Sequence, residues 1–272
     1  MAKRNVSRVI PGILALLTML ALCFALEAYL AFYPQADGVD VYKKEGATLD
    51  YSHADQGYVM IKHSETAKKL KLSVSLGKKK YIYDLTADGQ YETFSLPFGN
   101  GRYQFEIYRQ VSGKRYTTES SHSVDVELED DTLPFLYPNQ YVWYTAESAA
   151  VAKAAELCEG LTTDSEKLAA VRDFVVATIT YDYERAETVQ SGYIPVIDEV
   201  LEEEKGICFD YSCLTACMLR TQGVPTELVI GYADSFYHAW NNVLLDGEWQ
   251  RIDTTVEANN MKVAKYTEER IY

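Results

Sequence analysis

The sequence predicts an α+β protein in three parts: an N-terminal membrane helix (residues 1–36), a small antiparallel Ig-like β-sandwich (40–130) and a mixed helix-and-sheet domain (140–272). Three observations predict it. A basic cluster at the extreme N-terminus precedes a long apolar run. Short alternating runs punctuated by glycine turns then fill residues 41–128. Beyond Pro134 the composition changes to Ala-rich and capped helices, followed by a strand and a hairpin.

Lys3, Arg4 and Arg8 precede the apolar run 9–26, which continues past Glu27 to Phe32. That length spans a bilayer, and a buried core helix does not fit so charged a terminus. The segment is read as an uncleaved anchor or as a cleaved signal peptide. The anchor is favoured, because neither a small-x-small cleavage site nor a lipoprotein signal is well formed; Leu22 stands where a small residue should precede Cys23. Basic residues stay in the cytoplasm. The expected location is therefore the cell membrane, single-pass, with the chain after Tyr33 extracellular, or secreted if the signal is cleaved.

Asp and Glu number 40 against 26 Lys and Arg, a net charge of −14. That excludes nucleic acid as an expected partner, since binding it calls for a basic face. The 22 tyrosines suit sheets with one half-wet face. The five cysteines are Cys23, Cys158, Cys208, Cys213 and Cys217, an odd count with three crowded into ten residues. A disulfide-framed fold would spread pairs along the chain. Cys158, Cys213 and Cys217 read as small core residues. Two thiols on one helix face without further ligands make a poor zinc site, so no metal and no cofactor is expected.

In the sandwich region, Val59-Met60-Ile61-Lys62, Lys71 to Leu76, Lys80 to Tyr83, Tyr91 to Phe94, Arg102 to Tyr108 and Ser123 to Leu128 read as strands. Asp88-Gly89, Gly99-Asn100-Gly101 and Ser112-Gly113 mark turns. About seven strands at this spacing predict two packed sheets. His53, His63 and His122 are scattered and form no chemical constellation. The acidic stretch Glu129-Asp130-Asp131-Thr132-Leu133-Pro134 reads as a linker.

After it, residues 145–159 form an Ala-rich helix stopped by Gly160. Thr163-Asp164-Ser165-Glu166 is a capping box opening a second helix. Residues 197–204 give a short acidic helix, broken at Lys205-Gly206. Gly206-Ile207-Cys208-Phe209-Asp210-Tyr211 opens another helix, with Tyr211, Leu214, Met218 and Leu219 as its apolar stripe and Gly223 and Pro225 as its stop. Cys208 thus sits in a first turn. Helix N-termini carry partial positive charge and unpaired N–H groups. Both favour a thiolate nucleophile and can hold a developing oxyanion.

Residues 226–232 read as a strand. His238-Ala239-Trp240 and Trp249-Gln250-Arg251-Ile252-Asp253 lie on two runs joined by Asp246-Gly247, a strong two-residue hairpin signal. The turn sets the register: Leu245 faces Glu248, Leu244 faces Trp249, Trp240 faces Asp253. His238 and Asp253 then share a face as diagonal neighbours, roughly 7–8 Å apart at the backbone. An Asp on one imidazole nitrogen leaves the other free to meet a thiol. Cys208, His238 and Asp253 are the candidate catalytic residues.

Gly206-Ile207-Cys208-Phe209-Asp210-Tyr211, the segment from Leu219 to Pro225, Val229-Ile230-Gly231-Tyr232, His238-Ala239-Trp240 and Trp249 to Thr254 together resemble the transglutaminase-like superfamily, which shares its core with papain-like cysteine peptidases. The resemblance covers about residues 144–255. It implies a papain-like core and carries the nucleophile, base and orienting-acid roles onto Cys208, His238 and Asp253. The whole layout resembles surface proteins of Gram-positive bacteria. Phe209 stands where animal transglutaminases have tryptophan, Thr254 replaces a common proline, and only nineteen residues follow Asp253. The first two departures point away from a calcium-dependent transglutaminase.

The expected activity is extracellular thiol-dependent acyl transfer on amide bonds of peptides or proteins. Hydrolysis is favoured over cross-linking to an amine. A non-catalytic surface-binding scaffold is the alternative from another class. Cell-wall peptides and surface proteins are the partners that an outward-facing site would meet. Tyr181 and Gln190, upstream of the cysteine, are the side chains considered for a second oxyanion donor.

Overall fold

The computed structural model describes residues 32–64 and 68–272. The apolar run expected as an anchor, with Cys23, lies outside the described residues. Among the described residues no helix is long and apolar enough to cross a membrane.

Eight strands come first. β1 (Val41–Lys44), β2 (Ala47–Asp50), β3 (Tyr58–His63) and, later, β6 (Glu92–Ser95) make one antiparallel sheet in the order β1-β2-β3-β6. β4 (Leu70–Leu76), β5 (Lys79–Leu85), β7 (Gly101–Ser112) and β8 (Arg115–Val126) make the other, in the order β5-β4-β7-β8. Leu49 and Ile61 of the first sheet share a buried cluster with Leu72, Phe105 and Ile107 of the second. Two-residue turns need left-handed backbone, supplied by Glu45-Gly46 at φ 50° and 87° between β1 and β2. The pair β1–β2 was not visible as separate runs in the sequence, because four-residue strands carry too few alternations.

The acidic stretch expected as a linker leads straight into packed chain. Residues 133–135 form a 3₁₀ turn, and Pro134, Phe135, Leu136 and Tyr137 are buried. Pro134 lies so close to Gly57 that a Cβ there would come within 2.7 Å of its ring. The Glu129 amide donates to the Asp55 carbonyl.

The second region holds α1 (Ala149–Leu157), α2 (Asp164–Thr178), β9 (Thr180–Tyr181), α3 (Tyr183–Thr188), α4 (Ile197–Glu203), β10 (Lys205–Gly206) and α5 (Cys208–Thr221). Four antiparallel strands follow, β11 (Thr226–Ala233), β12 (Phe236–Leu245), β13 (Glu248–Ile252) and, after α6 (Thr254–Ala258), β14 (Tyr266–Ile271), in the order β13-β12-β11-β14. Both halves of the Thr163–Glu166 capping box form. The mixed architecture with antiparallel sheets is the one expected.

α5 differs from the amphipathic helix the stripe predicted. Every residue from Asp210 to Arg220 is buried, because helices cover one side of α5 and the β11–β12 sheet the other. Arg220 is fully enclosed and donates to three main-chain carbonyls: Thr226 at 2.8 Å, Tyr137 at 2.9 Å and Tyr272 at 2.7 Å. It ties α5 to the segment entering from the first sheets and to the end of β14. Tyr272 also packs on Tyr81 and Tyr141, with ring centres 4.8 Å and 4.4 Å apart. The two regions therefore share one continuous core.

Replacing Arg220 by Met strands three buried carbonyls while relieving the burial of a charge. An unmet buried polar group costs about 1–3 kcal/mol, so a net loss of about 2–4 kcal/mol is expected. A guanidinium unfolding midpoint unchanged from wild type would contradict the bridging role of this side chain.

Candidate active site

The cysteine is placed by what precedes it. β10 pairs in parallel with β9, setting Gly206 opposite Tyr181. A Cβ on Gly206 would fall 2.5 Å from the Asp210 Cβ and 2.9 Å from Oδ2, so only glycine lets that carboxylate fold back onto the chain. There Asp210 Oδ2 accepts from the Ile207 amide at 2.7 Å, which fixes the first turn and with it Cys208. Asp210 Oδ1 accepts from the Tyr193 hydroxyl at 2.6 Å, and Arg185 Nη1 stands 3.6 Å from Oδ2. Burial pushes the Asp210 carboxyl up, while Tyr193, the amide and Arg185 oppose it. This enclosed network pins the loop around Tyr193 beside Cys208.

Cys208 is half-buried, while the other described cysteines, all free, are buried. Burial pushes the Cys158, Cys213 and Cys217 thiols up, which makes them inert core groups as the sequence implied.

The base and the carboxylate arrive on the hairpin. Asp246 and Gly247 both take left-handed backbone, at φ 52° and 82°, as a tight turn of this kind requires. The register is the expected one, with Leu245 opposite Glu248, Leu244 opposite Trp249 and Asn241 opposite Ile252. One residue further on, Asp253 leaves the strand and caps α6. Its Oδ1 accepts from the Val256 amide at 3.0 Å. Oδ2 lies 2.8 Å from His238 Nε2 and accepts from the Tyr266 hydroxyl at 2.9 Å. His238 and Cys208 line the same cavity, and the neighbouring sulfur is among the influences on the imidazole. With Nε2 engaged by Asp253, Nδ1 is the ring nitrogen left for the sulfur. The structure brings the three residues singled out in the sequence to one place: His238 is paired with Asp253 and shares the wall of one cavity with Cys208.

Burial alone would lower the His238 imidazole. The hydrogen bond to Asp253 and the influence of the neighbouring Cys208 sulfur outweigh it and push the group up to about 10. Trp240, fully buried, lies beside the His238 ring, and Tyr266 meets Trp240 edge-on at 5.0 Å. The imidazole therefore has a fixed plane, with Nε2 held by Asp253.

A cavity of about 590 Å³ opens over Cys208 and His238. Tyrosines dominate its wall: Tyr141, Tyr181, Tyr193, Tyr237 and Tyr272, with Phe209, Gln190 and Arg270. Both upstream donor candidates are thus at the site. The Gln190 amide is turned to the Thr188 carbonyl at 2.8 Å. Tyr181 stays beside Cys208, its hydroxyl pushed up to about 12 by burial and by the neighbouring sulfur. Among the described residues no group of His, Cys, Asp and Glu could hold a metal ion. Sequence reasoning missed Asp210, Tyr193 and Tyr266. Asp210 did leave a signal, a carboxylate at the third helical position after a glycine, but Tyr193 and Tyr266 left none.

Comparison with known proteins finds the following likenesses. Residues 151–254 match the family model of the transglutaminase-like superfamily. Human kyphoscoliosis peptidase is 28% identical over 165 residues, which is 54% of this chain but only 24% of the human protein. The crystal structure of a TGase shares 26% identity over 39% of this chain and 30% of its own, with a TM-score of 0.34. The periplasmic domain of TgpA from Pseudomonas aeruginosa shares 13% identity over 79% of this chain and 97% of its own, at a TM-score of 0.36.

The raised imidazole ties stability to pH. Its contribution is fully present below the ordinary histidine value of 6.5 and is lost as pH rises through about 10. The difference in unfolding free energy between wild type and His238→Gln should therefore be largest below pH 6.5 and close toward pH 10. Urea titrations across that range check it, and a constant gap would contradict the charged pairing.

Proposed function

From the premise that the chain carries a transglutaminase-like domain, we propose that it is a thiol-dependent acyl-transfer enzyme acting on amide bonds of peptides or proteins, with hydrolysis as the outcome. The observation that carries this reading is the His238–Asp253 pair and Cys208 meeting on the wall of one cavity. The Cys208 sulfur attacks the amide carbon, and the carbonyl electron pair moves onto oxygen. The first-turn N–H groups of α5 and the Tyr181 hydroxyl face that charge. As the carbon–nitrogen bond breaks, His238 gives its proton to the departing amine and a thioester remains. Water then enters, gives a proton to His238, and displaces the sulfur, releasing the acid. Asp253 holds the imidazole throughout and stabilises its charged form.

An amine in place of water would give cross-linking by the same steps. Likeness to a protein named a peptidase supports hydrolysis. The apolar segment behind Lys3, Arg4 and Arg8 supports an outward-facing enzyme, for which cell-wall peptides and surface proteins are the proposed substrates. A non-catalytic scaffold would have no need of an imidazole held by a carboxylate on the cavity wall that carries a cysteine.

Iodoacetamide separates enzyme from scaffold. The expected result is selective alkylation of Cys208 ahead of Cys158, Cys213 and Cys217, slowed by about tenfold or more in His238→Ala. Equal, slow labelling of all four soluble-region cysteines would leave the scaffold. Trapping the acyl-enzyme with a peptide library and weighing the products after adding water or an amine then decides between hydrolysis and cross-linking.

A further inference from the structure

We propose that the cleft reads a carboxylate on its substrate through Arg270, which gives the acyl-transfer reading, on which this inference rests, a substrate class: peptides with an acidic side chain or a free C-terminal carboxylate near the reacting carbonyl. The argument begins with the ladder between β11 and β14. Tyr232 lies opposite Thr267, and Gly231 lies opposite Glu268. The next pair is Ile230 with Arg270, so the register shifts at this point and Glu269 is the extra residue of a β-bulge. Residues directly opposed in an antiparallel ladder present their side chains to the same face. Ile230 lines the cavity over Cys208, and so does Arg270.

In an unbroken ladder Glu269 would stand opposite Ile230. The bulge therefore exchanges a negative charge for a positive one at the wall of the cleft. Bulges commonly re-aim side chains beside active sites. The close approach that accompanies this one depends on Gly231, since a Cβ there would collide with the Thr267 carbonyl oxygen and crowd the Trp240 ring. Sequence alone shows the glycine but not the strand that needs it.

The guanidinium is available. Its Nη1 donates to the Tyr272 hydroxyl at 3.5 Å, and among the described residues it forms no ion pair with a carboxylate. It is the only Lys or Arg among the described residues lining the cavity. The chain after it is held firmly. The Ile271 amide donates to the Tyr81 hydroxyl at 2.9 Å, the Tyr272 amide donates to the Leu228 carbonyl at 2.9 Å, and Arg220 grips the Tyr272 carbonyl. A planar fork of donors on an anchored backbone suits two-point recognition of a carboxylate. The surrounding tyrosine rings supply apolar flanks and hydroxyls, and the described lining offers no carboxylate to compete.

Four small alkylating probes test this on the whole protein. Bromoacetyl-Glu amide is compared with bromoacetyl-Gln amide, and bromoacetyl-Ala as free acid with its amide. In each pair the rate of Cys208 alkylation is read by mass spectrometry, and the acid-to-amide ratio is taken within one sample, so that any unfolded fraction scales both rates alike. The expected result is a preference for the acid in at least one pair, with the pair showing it naming a side-chain or a terminal carboxylate. Arg270→Gln should lower that ratio about three- to fivefold, the size of an exposed ion pair. Arg270→Lys should keep only part of it, because an ammonium keeps the charge but lacks the two-point fork, and high salt should narrow it. Ratios near one in both pairs, or unmoved by Arg270→Gln, overturn the carboxylate site and leave the nucleophile standing. A Cys208 that reacts with the neutral probes no faster than the core cysteines overturns the acyl-transfer reading and this inference with it.

Discussion

The two oxygens of the Asp253 carboxylate receive the Val256 amide, the His238 imidazole and the Tyr266 hydroxyl. Each donor comes from a different element: the start of α6, strand β12 and strand β14. The hairpin register, the place where β13 stops and the return of the last strand to the far edge of the sheet all have to agree for this meeting to occur. A buried carboxylate short of donors is costly. The geometry that orients the imidazole is therefore also the geometry that satisfies the acid, and the site and the local fold stand or fall together.

A second carboxylate does comparable work for the sulfur. Asp210, fully buried, holds the Ile207 amide with one oxygen and the Tyr193 hydroxyl with the other. Cys208 lies between these two fixed points. Behind it α5 is buried from Asp210 to Arg220 and bolted by Arg220 to main chain from three places. Cys208 and His238 thus sit on elements that are tied to one core, which is the positioning that the proposed attack at a carbonyl would demand.

Much of this was legible in the chain. Asp246-Gly247 permits one tight turn, and that turn dictates which side chains oppose each other, so the pairing of His238 with Asp253 follows from a dipeptide and a count. Gly206 before Cys208 and the capping box at Thr163 gave helix starts within a residue of those observed. What stayed hidden depends on partners far away in sequence. Arg220 reads as a polar end to an amphipathic helix until the carbonyls of Tyr137 and Tyr272 are seen around it. β14, Tyr266-Thr267-Glu268-Glu269-Arg270-Ile271, lacks an alternating apolar face because it is an edge strand whose bulge breaks the period. The acidic stretch at residues 129–134 looks like free linker by charge, although its proline is packed against Gly57.

The packing of Tyr81 on Tyr272 has a consequence for heredity. Tyr81 belongs to the front sheets, and Tyr272 belongs to the wall of the cleft. A lineage that traded its front sheets for another module would take away part of the surface on which the wall of the cavity rests. Recombination at the acidic stretch would be punished accordingly, and descendants would inherit the two regions as a single block rather than as interchangeable parts.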